Sequence, residues 1–127
     1  MSVGAQMIVG TLLLEIHIPG ADSLKSKRQI LRKVIDRLRS RFNASVAEVA
    51  NNERWTIATL GVAVVANSPS FVGEVLDKIF RTVDSVGELA ITYHDRMIAP
   101  VAEFDEDDGP RKLAEFEEMF PEESDES

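Results

Sequence analysis

The sequence predicts an α+β fold of the split, ferredoxin-like βαββαβ kind. It is a four-stranded antiparallel sheet with two helices on one face, followed by an acidic C-terminal tail. Three observations carry this. Hydrophobic periodicity switches between 2 and 3.6 residues in the order β-α-β-β-α-β. Ser23–Phe42 forms one amphipathic helix, about five turns long at ~3.6 residues per turn. Composition changes at Pro100: residues 1–100 hold twelve Lys and Arg against ten Asp and Glu, whereas 101–127 hold two against twelve.

The elements follow in order. Met7–Ile18 alternates as a strand, with Leu12, Leu14, Ile16 and Ile18 on one side and Val9, Thr11, Leu13, Glu15 and His17 on the other. Both sides are largely apolar, as expected of a central strand. Pro19-Gly20 ends it, and Asp22 or Ser23 can cap the helix that follows. Leu24, Ile30, Leu31, Val34, Ile35, Leu38 and Phe42 recur on one helical face. Asn43 is a plausible stop. Ala44–Ala50 is a short strand, Asn51–Arg54 a hairpin connection, and Trp55–Ala66 a third strand. Asn67-Ser68-Pro69 starts a second helix that runs to about Ser85, with Val72, Val75, Leu76, Ile79 and Val83 as its stripe. Glu88–Asp95 is the last strand, with Leu89, Ile91 and Tyr93 alternating against Ala90, Thr92 and His94.

The domain therefore spans 7–100, with an extension at 1–6 and the tail at 101–127. Phe104–Pro110 reads as a flexible acidic linker. Residues 110–120 can form a short amphipathic helix through Leu113, Phe116, Met119 and Phe120, and the final residues are expected to be disordered.

Composition narrows the function. The chain has no cysteine, which excludes disulfides and thiolate metal sites and points to a reducing, cytoplasmic setting. Its longest uncharged stretch, Trp55–Ala66, is too short for a membrane span of ~20 residues. MSVGAQMIVG lacks a cationic n-region, so no signal peptide is expected. Neither His17 nor His94 sits in a nucleophile-elbow or triad context. Both lie near the C-terminal ends of antiparallel strands, which puts them at opposite edges of the sheet and argues against a two-histidine metal site. No glycine pattern matches a phosphate loop. The expected catalytic residues, metal ligands and cofactors are none.

What remains is charge and an open surface. The first helix carries Lys25, Lys27, Arg28, Arg32, Lys33, Arg37, Arg39 and Arg41 against the single acid Asp36. Lys25, Arg28, Arg32 and Arg39 line up beside its apolar face. Lys25, Lys27 and Arg28 fall near the helix start, where the macrodipole disfavours cations by roughly 0.3–1 kcal/mol each. Cations kept there suit a phosphate partner, so Lys25, Lys27, Arg28, Arg32 and Arg39 are the candidate polyanion-binding residues. The alternative is a solvated face that tolerates its charges. Both helices cover one side of the sheet, so the other side must meet solvent or a partner. Leu13, Trp55 and Ile57 would form an exposed apolar patch there and are the candidate oligomer face. That face lacks the central-strand aromatics on which RNA-recognition domains stack bases.

Several stretches together carry a family resemblance: MIVG from Met7, IPGADSLKSKR from Ile18, RLRSRFNASVAEV from Arg37, WTIATLGVAVVANSP from Trp55 and LDKI from Leu76. In this order and spacing the chain, over about residues 7–98, resembles the YlxP-like family of bacterial proteins. The resemblance implies a small ferredoxin-like domain with no established enzymatic activity. Its genes often lie near translation-initiation and ribosome-maturation genes, which implies an RNA or ribosome partner by association. Residues 1–6 and the tail depart from the short family pattern. The expected function is a non-enzymatic protein that binds RNA or the ribosome through its basic first helix. The alternative is a homodimeric or larger regulatory module without nucleic-acid binding.

Overall fold

The computed structural model describes residues 4–105 and 109–112. Strand β1 (Gly4–His17) leads into helix α1 (Leu24–Arg41), and then come β2 (Ser45–Ala50), β3 (Ile57–Ala66), α2 (Pro69–Asp84), β4 (Ala90–Asp105) and β5 (Gly109–Lys112). The sheet order is β2-β3-β1-β4-β5 with every pairing antiparallel. This is the ferredoxin-like arrangement, with β1 and β3 central as expected and a short fifth strand added outside β4.

Each helix starts on a serine. Ser23 caps α1: its hydroxyl accepts from the Ser26 amide at 3.0 Å, and the Ser23 amide donates back to the Ser26 hydroxyl at 3.2 Å. Ser68 caps α2 through the Phe71 amide, with Pro69 at the first turn. Phe42, not Asn43, is the C-cap of α1.

One apolar core lies between the helices and one sheet face. Ile8, Leu12, Leu14 and Ile16 of β1 and Leu60, Val62 and Val64 of β3 meet Leu31, Val34 and Leu38 of α1 and Val72, Leu76, Ile79 and Val83 of α2. Gly10 sits in the core-facing row of β1. A Cβ there would lie 2.2 Å from Val72 Cγ1 and 3.0 Å from Leu76 Cδ1, so the missing side chain is what lets α2 lie this close to the sheet.

Strand β4 departs most from expectation. It runs to Asp105, ten residues beyond the expected end, because the long β1 offers a partner along its whole length from His17 back to Gly4. β1 correspondingly begins at Gly4, so residues 4–6 are sheet, not an extension. Two bulges make this pairing possible. Thr92 is the extra residue between the pairs Glu15–Tyr93 and Ile16–Ile91, and Val101 is the extra residue between Ile8–Pro100 and Met7–Ala102. Pro100, which has no N–H to give, thus sits beside a bulge.

The Thr92 bulge shifts the side-chain phase by one. Tyr93 therefore joins Glu15 on the open face and does not continue the core row of Leu89 and Ile91. His94 turns to the helix side, where its ring meets Phe80 edge-to-face at 4.8 Å. His17, by contrast, shares the open face with its partner Ala90, so the two histidines lie on opposite faces of the sheet, not at opposite edges.

Phe104 and Asp105, expected in a linker, are strand, and so are 109–112, where a helix from Pro110 was expected. The remainder of that expected helix and the disordered end lie outside the described residues.

Candidate functional site

Helix α1 separates its five candidate cations into three groups. Lys25, Arg28 and Arg32 are exposed, and among the described residues none of them has an ion pair. No acid occupies the first turn. These three form a basic ridge on the outer side of the helix.

Arg39 is exposed but anchored. Its Nη2 donates to the Val46 carbonyl at 2.8 Å, which ties the guanidinium to strand β2. Arg28, Arg32 and Arg39 line a groove of about 370 Å³ between α1 and β2, with Leu31 and Ile35 beneath them and Asp36 and Glu48 alongside. The groove is cationic on its helix wall, and one of its three guanidiniums is held in place by backbone.

Lys27 belongs to neither group, and its assignment to the polyanion surface is corrected. It is 1% exposed. Its ammonium donates to the Asn51 carbonyl at 2.8 Å and lies 2.8 Å from Glu48 Oε2. The approach to that oxygen misses hydrogen-bond geometry, so the contact is an ion pair and Oε2 keeps no hydrogen bond. Asn51 itself holds a left-handed backbone (φ 62°) and donates through Nδ2 to the Thr59 hydroxyl at 2.8 Å. Lys27 is thus a structural tie from α1 to the β2–β3 turn. A signal was present in the sequence: Lys27 stands four residues before Leu31, in phase with Val34 and Leu38, and so on the buried stripe.

The second surface is the sheet face away from the helices. Rows run across the strands: Val65, Val9 and Ala99; then Ser45, Ala63, Thr11 and Met97; then Ala47, Gly61, Leu13 and Asp95; then Thr59, Glu15 and Tyr93. Leu13 is on this face and 38% exposed, and Ile57 is half-buried on it. Trp55 precedes β3 in the bend and is 53% exposed. Val49, Val65, Tyr93 and Met97 are also more than half exposed; the bulge at Thr92 hides Tyr93 from the sequence pattern, and Met97 lies beyond the expected strand end at Asp95.

A further groove of about 450 Å³ lies between α2 and β4. Arg96 and Asp77 form an ion pair at 2.6 Å across it, both largely exposed. Such pairs are worth about 0–1 kcal/mol, so Asp77→Asn is expected to change unfolding free energy by less than about 1 kcal/mol in urea titrations. Among the described residues no group of three or more His, Cys, Asp or Glu residues could hold a metal ion. No described helix is long and apolar enough to cross a membrane.

A ferredoxin-like α+β domain with one basic helix and one sheet face that no described element covers is the class that these features define. The chain belongs to the family described as "Protein of unknown function (DUF503)", whose profile matches residues 9–96. It is 29% identical over 85 residues to the uncharacterized protein YlxP of Bacillus subtilis (strain 168), covering 67% of this chain and 92% of that one. Among solved structures, a de novo designed protein with a ferredoxin fold, determined by solution NMR, matches with a TM-score of 0.42 and 14% identity, covering 72% of this chain and 83% of that one.

Proposed function

We propose that this domain is a non-enzymatic, cytoplasmic binding protein that associates with RNA or the ribosome through the outer side of α1. The observation that supports it is the row of exposed cations Lys25, Arg28 and Arg32, uncompensated by acid in the first turn and continued by the anchored Arg39. Such a row engages phosphates without reading base sequence. Binding therefore releases counterions and weakens steeply with salt.

The test is a triple change, Lys25, Arg28 and Arg32 each to Gln. These side chains face away from the core, so the fold is expected to survive. Arg39 is left in place because it bonds Val46. Losing three phosphate contacts lowers the slope of log K against log salt by about 2–3. A triple variant that binds ribosomal RNA with the parental affinity and slope sinks the proposal.

A homo-oligomeric regulatory or protein-interaction module without nucleic-acid binding is the second reading. The exposed apolar side chains of the open sheet face favour it. Salt-sensitive retention on heparin supports the first reading; a stable oligomer with no retention supports the second.

A further inference from the structure

We propose that two copies of this chain pack open sheet face against open sheet face, giving a particle with one basic helix on each outer side. The pairing stands on the sheet face alone; only the two-sided engagement of RNA rests on the function proposed for α1.

Strand alternation and register make the face. Val9, Thr11, Leu13, Ala63, Val65 and Met97 adjoin one another on it without a charge among them. Val65 is 56% exposed, Met97 51% and Leu13 38%. Scattered apolar residues on a surface are ordinary, but a contiguous block of them on a sheet face suits an interface. Three strands paired over some ten residues and β2 over six, about 4.8 Å apart with about 3.3 Å rise, offer roughly 570 Å² per copy. Doubled, that comes close to the lower bound of about 1,200 Å² for specific, stable interfaces.

Charge selects the occupant. Among the described residues of these four strands, the open face carries Glu15 and Asp95 and neither Lys nor Arg. Nucleic acid is repelled there. So is the stretch 113–127, which holds seven acids and no Lys or Arg. A second copy is accommodated by a two-fold axis lying across the strands at the Ala63–Thr11–Met97 row. That operation lays one apolar block on the other, sets Asp95 of each copy at the β4 margin opposite Ala99 of the other, and sends the Glu15 ends of the two sheets in opposite directions. Both helices of each copy cover the far side of its sheet, so the two α1 ridges face outward, away from each other.

The experiment is the solution mass, by light scattering and sedimentation at micromolar concentration, of the full chain and its variants. The parent is expected at twice the chain mass of 14.1 kDa. Val65→Lys and Met97→Lys change side chains already half exposed, so each is expected to keep its far-UV circular dichroism and melting temperature. Each is expected to fall to the mass of one chain. The triple α1 variant is expected to remain a dimer. A parent that is monomeric across the concentration range overturns the pairing. So does a folded Val65→Lys, Met97→Lys double variant that stays dimeric. A monomeric parent that dimerises once 113–127 are removed also overturns it, by assigning the face to the tail. If the mass is doubled but RNA affinity is absent, the function proposed for α1 fails while the pairing stands.

Discussion

Glu48→Ala is expected to destabilise the domain by about 3 kcal/mol, toward the lower end of the 3–5 kcal/mol that breaking a buried ion pair costs. The reason is Lys27. Its ammonium is almost fully enclosed, and among the described residues Glu48 Oε2 is the one carboxylate placed against it. Removing that charge leaves a buried cation whose remaining partner among the described residues is the Asn51 carbonyl. The lower end applies because the Glu48 side chain retains 19% exposure, so water can reach part of the site. Changing both partners at once, Lys27→Met with Glu48→Leu, is expected to recover most of the loss, since an apolar pair of similar volume carries no desolvation cost. Urea unfolding of the four species gives the coupling energy. A Glu48→Ala variant less than 1 kcal/mol below the parent would show that Lys27 does not depend on its counter-charge. The pair serves the fold, so these changes are expected to alter polyanion affinity little at temperatures where the variants remain folded.

Gly10→Ala should cost about 1–3 kcal/mol by overpacking. The new methyl would overlap Val72 Cγ1 and touch Leu76, and neither has free space to retreat into, because both are fully buried. The reduced entropy of the unfolded chain offsets part of this, by about 0.4–1 kcal/mol. The diagnostic result is the combination with Val72→Ala. That change alone opens a cavity, and the added methyl at position 10 occupies the same space. The double variant is therefore expected to be more stable than the sum of the single losses allows. Strict additivity in thermal or urea unfolding would mean that α2 simply rides outward and that the close approach is incidental.

Much of the architecture was legible in the residues. The two periodicities, the serine caps and the proline at the start of α2 located both helices and the first three strands, because each signal is local. The parts that were not legible depend on partners distant in sequence. Alternation continued through Thr92 puts Tyr93 in the core row, and nothing local announces the bulge there; it exists because β1 pairs with β4 in this register. The extension of β4 through Pro100 to Asp105 has the same origin: acidic residues and proline read as linker until a long central strand supplies the other half of the ladder. Lys27 reads as surface charge by residue type although its phase is that of the buried stripe, and its partner Glu48 comes from strand β2, distant in sequence. The exposed ridge of Lys25, Arg28 and Arg32 was readable directly, since solvent exposure of long cations off the apolar stripe is the default.

The pairing of β1 with β4 also has a consequence for the time of synthesis. β1 is the central strand, yet the residues that complete its second edge come much later: Thr92, whose hydroxyl donates to the Glu15 carbonyl, follows it by 77 positions. At about 5–20 residues per second of translation, that interval is roughly 4–15 s. Throughout it, a nascent chain holding β1, α1, β2, β3 and α2 has one whole flank of its most apolar strand without hydrogen-bond partners. Unpaired strand edges of this kind are templates for pairing with other chains. β4 is therefore the strand that closes the nascent domain against aggregation.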